Sequence, residues 1–467
     1  MRLRANHRNH SSRRASVLII VLWVSFGLVS LALYFANCTS LELRAADNRV
    51  AMLEAEQAIA GAVRYLSNVI ATATAEAPGM LPDPMTYLHE GVPIGDAAFW
   101  LIGRATDETA DEQVVFGLVD EASKLNLNTA TAAMMNKLPR MTAELAAAIV
   151  DWRDTDSNAS ENGAEDEIYG RLTTPYKCKN APFETVEELR LVYGMTYDIL
   201  FDEDANLNGV LDPNENDGSK SQPADNANGK LDRGVLSYFT VHTQEPNTRT
   251  NGSARVDVSG PDTMQLAALL QEVGMDTTRM NEILRRFPAG PPGGGGPGGG
   301  AGGTTGNIRS LLEFYIRSGM TQAEFALIET EITVTTNQFN KGLVNVNTAS
   351  EAVLTCVPGI GETNAPALIA YRLSNPDSLH TVAWVKEAID EASAIQAGPF
   401  LTGRSYQFTA DIAAVGHQGR GYQRAKFIFD TSEGPPKVRQ RQDLTHLGWA
   451  LGQQVREEVR LAREQQP

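Results

Sequence analysis

From Val17 to Ala36 no residue of this chain carries a charge, and only Ser25 and Ser30 interrupt the apolar run. As an α-helix rising about 1.5 Å per residue, such a segment spans roughly 30 Å, the thickness of a bilayer core. It is expected to cross a membrane, and no other feature limits the fold as sharply. Arg2, Arg4, Arg8, Arg13 and Arg14 precede it with no acid among them, which holds that end in the cytoplasm and leaves everything from about Asn37 outside. A cleaved secretory signal would have a shorter apolar region, and Ala36-Asn37-Cys38 matches its cleavage site only loosely. A lipoprotein signal would want a small residue where Asn37 stands. The continuation points to a retained segment. Between Leu41 and Leu66 there is no proline and only Gly61. Met52, Ile59, Val63 and Leu66 fall on one helical face, while Glu42, Arg44, Asp47, Arg49 and Glu54 supply solvated positions. One long helix over 16–66, half in the membrane and half against a head, is expected.

At 467 residues the chain is too long for one compact core, so two to four domains with several small cores are expected. Its 57 acidic against 40 basic residues give a net charge of -17. That opposes a general role on nucleic acid, where clustered Lys and Arg must displace counterions. Cys38, Cys178 and Cys356 show no CxxC spacing and no nearby His pair, so neither a zinc site nor a disulfide framework is supported. None of the histidines sits in a GxSxG, HExxH or Cys-His context. No enzymatic activity and no small-molecule substrate are expected.

The body reads as α+β. Two apolar runs, Ala97 to Ile102 and Val114 to Val119, flank the polar stretch Thr106 to Gln113 and read as a strand pair within a small head over 67–120. An internal repeat follows. Leu125-Asn126-Leu127-Asn128-Thr129-Ala130 returns as Val344-Asn345-Val346-Asn347-Thr348-Ala349, with a weaker copy at Val256-Asp257-Val258-Ser259. Glu187 to Thr196 resembles Leu312 to Thr321, and β-rich runs recur at Tyr238 to Thr243, Glu331 to Thr336 and Tyr406 to Ile412. Three mainly helical units, 121–243, 252–336 and 342–415, each closed by a strand, are predicted. The second carries a Pro/Gly tract from Pro288 to Gly303 within a linker over 288–306, which cannot bury a core. A strand and a polar tail, helical from about Leu444 with a Leu447, Leu451 and Val455 stripe, would complete the chain over 416–467.

The sharpest local motif runs from Asp204 to Glu215. Asp204, Asn206 and Asn208 occupy loop positions one, three and five, Gly209 six, Val210 seven, Asp212 nine and Glu215 twelve. These offsets wrap oxygen ligands around one hard cation, and the spacing predicts a calcium site of modest affinity. Asp225, Asn226, Asn228, Gly229 and Asp232 look like a degraded second copy, and Asp154, Asp156, Glu165 and Glu167 form another acidic loop. Separately, Pro358-Gly359-Ile360-Gly361 resembles the hairpin of helix-hairpin-helix proteins, whose backbone N–H groups meet a DNA phosphate. From Val344 to Arg372 the only basic residue is Arg372, against Glu351 and Glu362, so the electrostatic term is missing. A structural hairpin is expected, with DNA contact through Gly359, Ile360 and Gly361 as the alternative.

The basic leader and long helix resemble type IV pilins and type II secretion pseudopilins. The resemblance implies a prepilin-type leader over 1–15, cut by the prepilin peptidase between Ala15 and Ser16. At the fifth mature position, where the family has Glu, this chain has Ile20, and the member sharing that departure is minor pseudopilin K. Asp151-Trp152-Arg153-Asp154-Thr155-Asp156, Gly163-Ala164-Glu165, Tyr169-Gly170, Pro175-Tyr176, Asn180, Pro182-Phe183, Glu188-Leu189 and Val192 to Thr196 form an ordered series similar to that family. The likeness covers about half the chain. It implies an inner-membrane, single-pass protein with a periplasmic head, other minor pseudopilins as partners at a filament tip, and calcium in the head, extending to the acidic loop at Asp154. The alternative is a membrane-anchored DNA receptor of the competence type.

Overall fold

One unbroken α-helix runs from Ser11 to Glu76, ten residues beyond the expected end, and stops just before Pro78-Gly79, where proline cannot continue it. The computed structural model describes residues 11–104, 114–249, 251–260, 263–287 and 307–464, with backbone alone at 11–16 and 462–464. The leader to residue 10, most of the polar stretch after Ile102 and the Pro/Gly linker lie outside the described residues. The helix's buried stripe is Ala51, Ala55, Ala58, Ile59, Ala62, Leu66 and Ile70. Met52, expected on that face, is instead exposed, because the stripe starts on small alanines that let the backbone approach the head closely. A Cβ on Gly416 would stand 2.2 Å from the Ala51 carbonyl oxygen.

Against this stripe lies an antiparallel sheet built from both ends of the head. Strands β1 (Val92–Ile94) and β2 (Ala97–Ile102) form a hairpin, and β3 (Val119–Asp120) follows. The expected partner of β2, the run from Val114, touches it only through an isolated Ile102–Phe116 bridge. The helical units come next. Each opens and closes on a two-residue parallel pair: β4 (Leu125–Asn126) with β5 (Phe239–Thr240), β7 (Val256–Asp257) with β8 (Ile332–Thr333), and β10 (Val344–Asn345) with β11 (Leu401–Thr402). Antiparallel β6 (Gln244–Pro246) and β9 (Phe339–Lys341) tie the connections together.

The repeat extends to side chains. Arg153 donates to the Leu127 and Ala130 carbonyls, and Arg372 donates to the equivalent Val346 and Ala349 carbonyls. The units do not have separate cores. Leu127, Ile149, Leu270, Phe325, Val357 and Trp384 belong to one continuous buried cluster running through all three.

After β11 the chain returns to the sheet as β12 (Gln407–Val415), β13 (Gln423–Asp430) and β14 (Lys437–Asp443), giving the order β1-β2-β12-β13-β14 with β3 also on β12. The run from Tyr406 to Ile412 therefore does not close the third unit. It is the central strand of the sheet, buried along its whole length, with Phe408, Ala410, Ile412 and Ala414 toward the long helix and Ala413 and Val415 on the opposite core. A final helix, Gly452–Glu464, starts later than expected, and Leu451 and Val455 dock against Trp100, Ile102, Ala413 and Val415.

Candidate functional site

The loop from Asp204 to Glu215 begins after the short helix Tyr197–Leu200 and ends in a 3-10 turn, Pro213–Glu215. Gly209 takes φ +73°, the left-handed turn that glycine supplies without strain. Asp204, Asn206, Asn208, Val210, Asp212 and Glu215 are all buried. The Asp204 carboxylate accepts the Asn208 and Gly209 amides at 3.0 and 3.1 Å. Asn206 and Asn208 both turn their NH2 groups to Asp212 Oδ2, at 2.8 and 3.0 Å. Glu215 accepts the Ala205 and Asp212 amides at 3.1 and 3.0 Å. Burial first, then the neighbouring Asp204 charge, pushes the Glu215 carboxyl up to about 8, and burial raises Asp204 as well.

The donor chemistry fits a hard cation: three carboxylates, two amides and the Val210 carbonyl, all oxygen. The carboxylates are clustered and dehydrated, which a bound cation would relieve. Among the described residues no three His, Cys, Asp or Glu side chains already converge as a metal cage, and the loop's amides occupy Asp212 instead.

The second loop repeats part of this pattern. Asn226 donates to Asp232 Oδ2 at 2.8 Å, as Asn206 does to Asp212. Asn228 Oδ1 accepts the Lys230 amide at 2.7 Å. The Asp225 carboxylate is held low by backbone donors at Gly218, Asp217 and Ala227 despite the cost of burial. The residue missed by spacing is Glu203, 2% exposed, which accepts the Asn226 and Asp232 amides at 3.1 and 3.0 Å. It stands just before the first loop, so no linear loop pattern points to it.

The acidic loop at Asp154 differs from expectation. Asp154 Oδ1, both Glu165 carboxylate oxygens and Asn180 Oδ1 are buried without a hydrogen-bond partner among the described residues. Burial raises both Asp154 and Glu165, reinforced by their acidic neighbours. Unpartnered buried oxygens are expensive, and this set fits a cation. Asp156 is exposed, with its carbonyl accepting from Asn180 Nδ2 at 2.7 Å. Glu167 does not join: it is exposed and paired with Arg171 one turn on. Asp151, fully buried against Gly163, adds its charge beside Asp154 and Glu165. Asn180 belonged to the ordered sequence series, but nothing in its spacing marked it as a ligand.

The Gly359-Ile360-Gly361 hairpin joins the helices Glu351–Thr355 and Gly361–Ser374. Gly359 has φ +88°, and a Cβ there would stand 2.6 Å from the Ser393 carbonyl oxygen. Ile360 is buried, and the Ile360 and Gly361 amides both donate to Val357. The hairpin is packed into the third unit with the Ile360 and Gly361 amides already used, so the DNA-contact reading is not favoured.

In the long helix Ile20 is 61% exposed, within an apolar span that nothing in the head covers. The side chains of Ala15 and Ser16, the expected processing junction, lie outside the described residues. The helix is long and apolar enough to cross a membrane, which makes it a candidate single-pass anchor, and it continues across an antiparallel sheet.

Residues 119–201 match the family model for type II secretion system protein K, and residues 339–392 match a helix-hairpin-helix motif. A type II secretion system protein K from Pectobacterium carotovorum is 24% identical over 204 residues, 40% of this chain and 60% of that protein. One from Klebsiella pneumoniae is 44% identical over 57 residues, 12% of this chain and 18% of that protein. The match thus spans less than two thirds of either relative. The solved GspK-GspI-GspJ complex from the enterotoxigenic Escherichia coli type 2 secretion system aligns over 86% of this chain and 99% of that chain, at 11% identity and a TM-score of 0.38. The likeness to type II secretion system protein K thus rests on residues 119–201 and on these partial matches.

Proposed function

We propose that this chain is a non-enzymatic minor pseudopilin that caps the tip of the type II secretion pseudopilus and assists its assembly and protein secretion. It would sit in the inner membrane by one span, N-terminus cytoplasmic and head periplasmic, after prepilin peptidase cuts between Ala15 and Ser16. Its partners would be other minor pseudopilins.

The observation that carries this reading is on the long helix. Leu43, Ala46, Val50 and Leu53 recur at heptad spacing on the face opposite the sheet-packed stripe, and all are exposed. They lie beyond the apolar stretch and, among the described residues, join none of the head's buried clusters. A seam of that period fits a second helix. Ile20, apolar where the family's Glu meets a neighbour's terminal amine, suits a subunit with no neighbour beyond it.

Calcium would be held by Asp204, Asn206, Asn208, Val210, Asp212 and Glu215, and by Asp154, Glu165 and Asn180 at the other acidic loop; it would supply charge neutralisation, no covalent chemistry. The loop around Asp225, Asn228 and Asp232, closed by Glu203, supports a weaker site. The reading is tested by deleting residues 1–36. Loss of membrane association and of complexes with co-expressed minor pseudopilins is expected, and retained assembly would sink it.

A further inference from the structure

Between the sheet face turned away from the long helix and the first helical unit lies a cavity of about 150 Å³. Four carboxylates reach its wall, and each has partners of its own. Glu121 pairs with Lys124 at 2.6 Å, Glu187 with Lys426 at 3.6 Å and Asp411 with Arg424, while Asp204 accepts its own loop amides. Two arginines line the cavity as well: Arg104, just after β2, and Arg233, just after the second acidic loop. Arg233 Nη2 donates to the Gly209 carbonyl at 3.0 Å. Arg104 Nη1 donates to the Ser237 carbonyl, and its guanidinium lies 5.4 Å from the centre of the Tyr238 ring. Its Nη2 is buried with no hydrogen-bond partner among the described residues. Burial first, then the nearby Arg233 charge, lowers the Arg104 guanidinium to about 10.

A buried guanidinium is costly unless an anion meets it. Lys124, Lys426 and Arg424 take three of the four acids, and Asp204 acts on Arg104 and Arg233 only through space. Arg104 therefore stands beside a second guanidinium with donors to spare. Such a fork matches the oxygens of a carboxylate or a phosphate. We propose that this cavity binds one small oxyanion, held by the outer N–H groups of Arg104 and by the charge of Arg233. Its volume lies well below the clefts of about 300–1,000 Å³ that take drug-sized molecules, which limits the ligand to a few heavy atoms. Arg104 belongs to the sheet side and Arg233 to the first unit, so the ion would fasten one to the other.

Calorimetric titration of the full-length chain in detergent with sodium phosphate and, separately, with sodium acetate tests this, with sodium chloride at matched ionic strength as the reference. Saturable binding of one equivalent is expected for at least one of the two oxyanions and not for chloride. Tighter binding of phosphate assigns a phosphate-type ligand, and tighter binding of acetate a carboxylate. Arg104→Met should weaken binding at least about tenfold, the scale of a lost charged hydrogen bond. Arg104→Lys, which keeps the charge and loses the fork, should bind with intermediate affinity. Arg441→Gln, at an exposed arginine on β14, should bind like the wild type. No saturable binding of either oxyanion, or wild-type affinity in Arg104→Met, would overturn the proposal.

Discussion

Arg424 grips Asp411 on the neighbouring strand through two bonds, Nε to Oδ1 at 2.9 Å and Nη2 to Oδ2 at 2.6 Å, with the guanidinium fully buried. Its other N–H groups reach the Asn206 and Leu207 carbonyls. One side chain thus fastens the first acidic loop to the sheet, and Asn206 Nδ2 adds a bond to the Trp449 carbonyl at 3.1 Å. Arg424→Met leaves Asp411 buried and unpaired, so it should cost about 3–5 kcal/mol, seen as a lowered unfolding midpoint. Adding Asp411→Leu should recover part of that loss, because the orphaned charge is removed.

Glu215 gives a pH test with a definite sign. Its carboxyl is raised from its ordinary 4.5 to about 8 in the folded chain. Its contribution to stability is therefore full below 4.5 and is lost as pH rises through about 8. The chelated head should be more stable near pH 5 than near pH 8. With calcium at about a hundredfold excess over Kd, stability should rise by about 2.7 kcal/mol, a few degrees in Tm for a head of this size, and the fall with pH should flatten. Asp204→Ala with Glu215→Ala should lose most of the calcium response.

The acidic loop at Asp154 is tested by comparing neighbours. Glu165→Gln should remove one equivalent of bound calcium by titration calorimetry, and Asn180→Ala should weaken the same event. Glu167→Gln, changed on an exposed residue paired with Arg171, should leave the stoichiometry intact. Equal effects of Glu165→Gln and Glu167→Gln would contradict the assignment.

Gly359→Ala should destabilise the third unit. It places a Cβ 2.6 Å from the Ser393 carbonyl oxygen at φ +88°, and the backbone conformation alone costs about 1–3 kcal/mol for an L-residue. A denaturant midpoint shifted down with unchanged slope is the expected result.

Local features were legible in the sequence, and long-range ones were not. The absence of charge from Val17 to Ala36 and of proline from Leu41 to Leu66 announced the helix. The Leu125 and Val344 repeats announced the opening strands β4 and β10. The third unit was misread because Tyr406 to Ile412 has the same β-rich character as the true closing runs, while Leu401–Thr402, its real closing strand, is too short to show a period of two. Nothing local distinguishes a strand that pairs with Val344 from one that pairs with β2, more than three hundred residues earlier. The buried helix face was shifted from Met52 to Ala51 because close packing selects small residues that a search for large apolar ones passes over. In the acidic loops, ligand spacing identified Asp204 to Glu215 as a unit, but Glu203 and Asn180 come from outside the linear patterns they complete.

The central claim is that the exposed seam of the long helix is an assembly surface. Full-length chain carrying Val50→Asp and Leu53→Asp, co-expressed with the other minor pseudopilins and purified from membranes, tests it most directly. Both side chains are exposed and lie outside the head's buried clusters, so the head should unfold at the wild-type temperature while the partners no longer co-purify. Partners recovered at wild-type yield would contradict the account.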